Sequence, residues 1–497
     1  MGPNEGGETL TRALAAWASR LELDDVPPRV VALAKSQVTS QLAAARAGLA
    51  HPLGESLTRA FGRPFAGDPR STAHVLAALT MALDFDDSVY AGHPSHSTVN
   101  VPVAFADALD LDGRALLCAA IAANECAARV TAAATIGPFR GQMAAHPHLV
   151  GSVAGRLRAE GAPASRWVDA LGLALAMPPW PLVRAFLGSD AKALVAAVPV
   201  RMGMDACDAA AAGLRGVPDV LEHEHGFLPR FAEVPLPDAV TAGLGERWHT
   251  ETLSLKVYPA STGVYASVDC AVELHAALDG AAIEEVVVHG SLFTFETDVH
   301  ANAYLDGPSS PVSALSYSVR YGVATALLTG GLTPADFAPP AVDDPARWEL
   351  AARVRVEHDP ELSRRAILAT APLGEALKQA GERAAPWVES SGGAALFEAD
   401  DAAELMRGID PPSPTFEDAE KAIGARVVVR LADGRELTAA RDIATGFAGP
   451  DTRARHGELM RAKFLVCGGS AEAADALAAL DELDASALAR TLEAALA

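Results

Sequence analysis

Apolar positions recur every fourth residue behind Pro27-Pro28: Val30, Ala34, Val38 and Leu42 fall on one face and predict an amphipathic helix with proline in its first turn. Val75, Leu76, Leu79 and Leu83 mark a second helix that runs into Asp84. Asp112-Gly113 is a turn and N-cap signal. The helix it opens carries Leu116, Leu117, Ala120, Ile121 and Val130, with Glu125 and Arg129 one turn apart as a structural ion pair. Near residue 250 the period changes. Leu253, Leu255 and Val257 alternate with Ser254 and Lys256, which predicts a strand. Val286-Val287-Val288 and Val354-Arg355-Val356 predict further strands, and Val427 to Leu437 around Asp433-Gly434 predicts a hairpin. Helical patterning returns over Leu315 to Gly330. A break at Pro411, Pro412 and Pro414 is followed by an acidic stretch that reads as helix, and the Ala- and Leu-rich tail from Arg453 is helical.

The pattern therefore predicts a mostly α protein with an inserted α+β unit. The helical body takes residues 1–258 and 450–497, the α+β unit takes 259–449, and an extra helical insert lies around 357–420. A length of 497 residues calls for more than one structural unit. The net charge of −23 excludes phosphate-neutralising nucleic-acid binding and disfavours an anionic membrane surface. Five widely spaced cysteines, with no Cys-x-x-Cys pair, point to reduced thiols in a reducing, cytoplasmic setting. The most apolar stretch, Leu171 to Leu187, is interrupted by Pro178, Pro179 and Pro181 and carries Arg184, which makes it a poor membrane span. The Ala- and Arg-rich composition is compatible with a GC-rich bacterial source.

Chemistry concentrates in Asp84-Phe85-Asp86-Asp87-Ser88 and the following His93-Pro94-Ser95-His96. If the preceding helix continues, Asp84, Asp87 and Ser88 share a face, Asp86 points elsewhere, and Gly92 and Pro94 return His93 towards them. Crowded carboxylates beside an imidazole suit acid/base work near neutral pH. The competing reading is an acidic helix end and a solvated loop, which the helix dipole and the apolar flanks oppose. Asp-x-Asp-Asp is also similar to the acid motif of class II terpene cyclases, but aromatic residues at 5% are too few to shield carbocations. His223-Glu224-His225 reads as a loop rather than a metal site, and phosphate-loop, dinucleotide and nucleophile-elbow fingerprints are absent.

Several blocks in order resemble the MmgE/PrpD family. These are Ala82 to Ser88 with His93-Pro94-Ser95, Asp112 to Leu117 with Asn124 to Arg129, Lys192 to Gly203, Gly226-Phe227, Lys256-Val257-Tyr258-Pro259 with Asp269, Ser318 to Tyr321, and Lys463-Phe464. The resemblance implies a helical domain formed by both chain ends and a smaller α/β lid, a homodimer, no cofactor and no metal. It also implies a lyase that eliminates water, less readily carbon dioxide, from a small carboxylate-bearing molecule. Position by position it implies Asp84 and His93 as the acid/base pair, Lys192 as the anion or enolate contact and Ser88 as a donor. Asp87, Gln142, His146, Ser261, Tyr265 and Ser318 are expected to line the substrate.

The chain departs from the family pattern where histidines are expected. Gln142, Ser261 or Tyr265, and Val195 stand in those places, with His146 and His148 a few residues beyond Gln142. Arg140, Arg184 and Lys256 are candidate supplementary cations, each read first as structural or exposed. These departures leave open an isomerase, epimerase or cyclase on the same scaffold, or a non-catalytic binding protein.

Overall fold

The computed structural model describes residues 8–390 and 402–497. Helix α1 (Pro28–Ala50) starts on a proline whose missing N–H costs nothing in the first turn, and it buries Val30, Ala34, Val38 and Leu42. The same helix buries Gln37, Ser40 and Gln41, so its inner side has a polar stripe as well as an apolar one. Helix α2 (Pro69–Ala82) is capped by Asp68, which accepts from the Arg70 and Ser71 amides. Helix α3 (Gly113–Ala133) is capped by Asp112. It is the one helix among the described residues long and apolar enough to cross a membrane, and 94% of that stretch is buried by the rest of the protein. It is the central core helix. Helices α4 (His146–Ala159) and α5 (Lys192–Ala211) pack beside it. Gly203 of α5 lies so close to α4 that a Cβ there would meet Ser152.

Glu125 and Arg129 do form the expected pair, at 3.5 Å and fully buried. They also clamp the chain that leads out of the helical region. Glu125 accepts from the His249 and Thr250 amides, and Arg129 donates to the carbonyls of Ala242, Gly243 and Arg247. This anchoring delivers the next residues to a fixed place. There β1 (Asp87–Ser88) pairs antiparallel with β2 (Ser254–Leu255), with Asp87 opposite Leu255 and Ser88 opposite Ser254. The helix before Asp84 thus does not continue, contrary to the sequence expectation. It ends at Ala82, Asp84 takes a left-handed φ of 54°, and the chain runs on extended. Aspartate is among the few side chains that adopt this conformation readily.

The second core is built on a four-stranded mixed sheet in the order β4 (Val354–His358), β3 (Ile283–Gly290), β5 (Ala425–Leu431), β6 (Glu436–Arg441). β3 and β4 are parallel; the other pairs are antiparallel, with Val287 opposite Val428 and Val427 opposite Ala439. The hairpin turn uses Gly434 at φ 88°. Helices α6 (Tyr265–Leu278) and α7 (Val319–Thr329) cover the sheet with Val268, Leu274, Val323 and Leu327. The patterning over Leu315 to Gly330 resolves into two helices, because Ser318 ends Val312–Tyr317 and caps α7.

The insert contains short helices over Pro360–Leu368, Glu375–Ala380, Ala385–Ser390 and Ala402–Arg407; its residues 391–401 lie outside the described residues. Ala371, Leu377, Val388, Met406 and Phe416 share a core with Leu14, Tyr90, Val130 and Leu149 of the helical region, while Ala366 of the insert's first helix packs with the sheet. The buried Arg247–Glu375 ion pair fixes that docking. The acidic helix expected after the prolines is absent: no helix lies between Arg407 and Ala425. Phe416 is drawn into the core instead, and the chain around it follows that contact rather than a helical period. The tail helices, beginning with α8 (Pro450–Val466), return to α1, where Phe464, Leu477 and Leu488 join its core.

Candidate active site

The left-handed turn at Asp84 converts a helical period into an alternating one. Asp84, Asp86 and Ser88 now face one side and Asp87 the other. Lys256, one residue beyond β2, reaches into the first side. Its Nζ lies 2.9 Å from both Asp84 Oδ1 and Asp86 Oδ1 and 3.1 Å from the Asp84 carbonyl. Lys192 Nζ, from the start of α5, lies 3.2 Å from Asp84 Oδ1. Asp86 Oδ2 is 2.8 Å from His93 Nδ1 and 3.2 Å from His96 Nε2. The structure therefore brings together Asp84, His93 and Lys192 as the sequence suggests, and adds Asp86, Lys256 and His96. Asp86 stands at the centre of the cluster rather than pointing elsewhere, and Lys256 is buried and doubly paired.

Electrostatics divide these groups by role. Burial pushes the Asp84 carboxyl up, but the ammonium groups of Lys192 and Lys256 outweigh it and hold it at about 2. Burial likewise opposes ionisation of Asp86, and Lys256 and the two histidines overcome it, leaving its carboxyl well below the usual range. Burial pulls the Lys192 ammonium down to about 8, with Asp84 opposing. Burial lowers His93 below its ordinary value, partly offset by the Asp86 charge. At neutral pH His93 is thus uncharged and donates from Nδ1 to ionised Asp86, which leaves Nε2 as a free base. With 24% of its side chain exposed, His93 is the member of the cluster open to solvent. Three buried polar atoms of the cluster have no hydrogen-bond partner among the described residues: Asp84 Oδ2, His96 Nε2 and Lys192 Nζ, whose 3.2 Å contact with Asp84 is an ion pair without hydrogen-bond geometry. Tyr317 lies under Lys192 with its ring centre 4.6 Å from Nζ. Burial holds its phenol in the neutral, donating form.

The remaining expected residues fall in two groups. Ser88 lies at the edge of the site, 2.8 Å from Lys421 Nζ. Ser261 lies beside Tyr317, to which it hydrogen-bonds. Asp87 faces away, accepting from Ser95 and Gln41, whose network continues to Gln37 and Asn124. The Gln142 amide donates to the carbonyls of Pro138 and Phe231, and its oxygen accepts from the Arg140 amide, so it braces a loop. His146 hydrogen-bonds the Pro179 carbonyl between Phe227 and Phe231, and burial brings it down to about 4. Tyr265 is tied through its hydroxyl to the Tyr258 backbone and stacks on Phe447. Ser318 caps α7. Gln142, His146, Tyr265 and Ser318 are thus occupied by local structure and not directed to the cluster. Arg140 lies over Trp180 and Arg184 is exposed. His223 Nδ1 accepts from the His225 amide in an exposed turn, as a loop reading expects.

Asp84, Asp86 and His93 are the described residues whose donor atoms lie close enough to share a cation. Lys256 Nζ already sits against both carboxylates at 2.9 Å and supplies that charge. Behind the site, Lys463 Nζ donates to Ser40 Oγ at 2.9 Å and the Phe85 carbonyl at 2.5 Å, holding the turn from the far side.

Asp87 gives a test of this packing. Burial and the neighbouring Asp86 charge push its carboxyl up to about 6, against the donors Ser95 and Gln41. A carboxyl raised in the folded state stabilises fully below its unfolded value, and that stability is lost as pH rises through about 6. Asp87→Asn should therefore raise the melting temperature by a few degrees at alkaline pH, and the gain should vanish in acid. Thermal unfolding across pH checks it.

The MmgE/PrpD N-terminal domain model matches residues 12–238 and the MmgE/PrpD C-terminal domain model matches residues 258–390. A cis-aconitate decarboxylase from Aspergillus terreus is 26% identical over 396 residues, covering 71% of this chain and 79% of that protein. A second Aspergillus terreus cis-aconitate decarboxylase is 28% identical over 290 residues, covering 52% of this chain and 59% of its own length. With the two domain matches together spanning more than half of its length, the chain belongs to the MmgE/PrpD family.

Proposed function

We propose that this protein is a lyase that eliminates water, or less readily carbon dioxide, from a small carboxylate-bearing molecule, with no resident cofactor. The observation that carries the reading is the buried cluster in which Lys192 Nζ and Asp84 Oδ2 lack hydrogen-bond partners beside the partly exposed His93. Gathered on ionised groups beside an imidazole open to solvent, these atoms offer a carboxylate ligand both a donor and an acceptor. The named activity of the two relatives, decarboxylation of cis-aconitate, supports the class.

In this reading His93 Nε2 takes the proton beside the substrate carboxylate, and Asp86 holds the ring and stabilises the imidazolium that forms. The Lys192 ammonium and the Tyr317 hydroxyl face the charge that develops on the carboxylate and the leaving group. Asp84, held ionised, serves to fix the two lysines rather than to exchange a proton. Its expected acid/base role passes to His93 and Lys192. The homodimer fits the exposed apolar side chains Phe139, Met177, Trp180, Leu182 and Val183, on two loops and the start of the helix Val183–Gly188.

Proton NMR in deuterated water tests the chemistry, with cis-aconitate, citrate, 2-methylcitrate and simpler hydroxy-dicarboxylates, beside Asp84→Asn. New product signals with wild type alone are expected. Deuterium uptake without elimination would replace the lyase with an isomerase or epimerase. No change across the panel would overturn the assignment of these substrates.

A further inference from the structure

Lys421 is a buried amine that neither the sequence patterning nor the acid/base cluster accounts for. It lies just beyond the proline-rich end of the insert, 4% exposed, and main-chain bonds fix its place. Its amide donates to the Ala448 carbonyl at 3.0 Å, and the Ala448 amide donates to Ser254 Oγ at 3.0 Å. Ser254 in turn pairs with Ser88 across β1 and β2. The insert side is held as well, since the Ala371 amide donates to the Glu420 carbonyl. The side chain crosses the Phe447 ring at 5.0 Å and ends 2.8 Å from Ser88 Oγ.

Among the described residues no carboxylate forms an ion pair with Lys421, whereas Asp84 and Asp86 are matched by Lys192 and Lys256. A buried cation without a counter-ion is costly, and an apolar side chain would fill the space more cheaply. An ammonium can only donate, so its bond to Ser88 occupies an oxygen lone pair and leaves the hydroxyl hydrogen free. Ser88 Oγ has no other hydrogen-bond partner among the described residues.

We propose that Lys421 is a positioning residue of the site: it donates to Ser88 Oγ and turns the Ser88 hydroxyl towards a second carboxylate of the ligand, opposite Lys192. The inference rests on the carboxylate reading above and narrows it to ligands with at least two carboxylates. It also gives the insert a task, because the segment that docks on the helical core delivers this lysine. The excess positive charge that the family pattern places on histidines is here placed on a lysine from elsewhere in the chain.

The test uses tricarballylate, a saturated tricarboxylate with no hydroxyl to lose, so binding is read without turnover. Calorimetric titration compares wild type, Lys421→Met and Lys421→Arg at slightly acid and slightly alkaline pH. Lys421→Met should bind roughly 10–100-fold more weakly in acid, and Lys421→Arg should recover most of the affinity. Burial and the nearby Lys256 bring the Lys421 ammonium down to about 7, while Asp84 and Asp86, which also face it, stay ionised through this window. Wild-type affinity should therefore fall as pH rises, and Lys421→Met should flatten that fall, leaving the part due to Lys192 and, at the acid end, to His93. Lys421→Met should melt no lower than wild type, since it removes an unpaired buried charge. Equal binding by wild type and Lys421→Met, or a lower melting temperature with an unchanged pH slope, would overturn the role of Lys421 alone. If wild type takes up no tricarballylate at either pH, the carboxylate reading falls and this inference falls with it.

Discussion

His93→Gln should lower turnover of the substrate by roughly 10²–10⁴-fold while leaving the fold intact. His93 is the imidazole of the cluster that reaches solvent, and its Nδ1 is committed to Asp86. Glutamine can keep a hydrogen bond to Asp86 but cannot accept and return a proton. The pH dependence separates this from a packing effect. Burial lowers the His93 value and Asp86 only partly restores it, so the free base is present at neutral pH and is lost as pH falls through a value below the ordinary one. The acid limb of the wild-type kcat/KM profile should report that loss, and the limb should disappear in the variant. Retention of activity to within about threefold would remove His93 from the reaction.

The helices of the first half were legible because burial imposes a strict period. Val30, Ala34, Val38 and Leu42 had no face but the core to occupy, and they are buried as expected. The sheet was legible for the same reason at period two, in Val286 to Val288 and Val427 to Val429. The site was only half legible because the wrong period was applied to it. Continuing the helix through Asp84 groups Asp87 with Asp84, whereas an extended chain groups Asp86 and Ser88 with it. Pairing with Ser254 and Leu255 decides for the extended form, and that partner lies far away in sequence. The alternation of Ser254 and Lys256 against Leu253, Leu255 and Val257 carried a usable signal: it placed Lys256 on the polar side of the strand. Lys421 had no such signal, since its flanks Ala419, Ala422 and Ile423 are simply buried and only tertiary contacts bring it to Ser88. Gln142, Tyr265 and Ser318 illustrate the converse. Aligned position suggested a ligand contact, but each polar group is used by backbone nearby.

Lys256→Met should destabilise the protein by about 3–5 kcal/mol at neutral pH, the cost of breaking a buried ion pair by removing one partner. The lysine is fully enclosed and neutralises two carboxylates at once, each at 2.9 Å. Burial alone would lower its ammonium, and Asp84 and Asp86 more than reverse that, so the cation is favoured in the folded state. Methionine of similar length fills the volume, so the loss is electrostatic rather than a cavity. The sign of the pH dependence follows from the carboxylates. In wild type Asp84 is depressed to about 2, so its contribution is present above the unfolded carboxylate value and is lost only as pH falls through about 2. Without Lys256 both carboxylates bind protons more readily when folded. The gap between variant and wild type should then be widest at neutral pH and should narrow as the solution is acidified towards the ordinary carboxylate range. Denaturant unfolding at neutral and mildly acid pH measures both numbers. A variant as stable as wild type at neutral pH would mean that Lys192 and the hydrogen bond from His93 already hold the two aspartates, and that Lys256 is held there for the ligand alone.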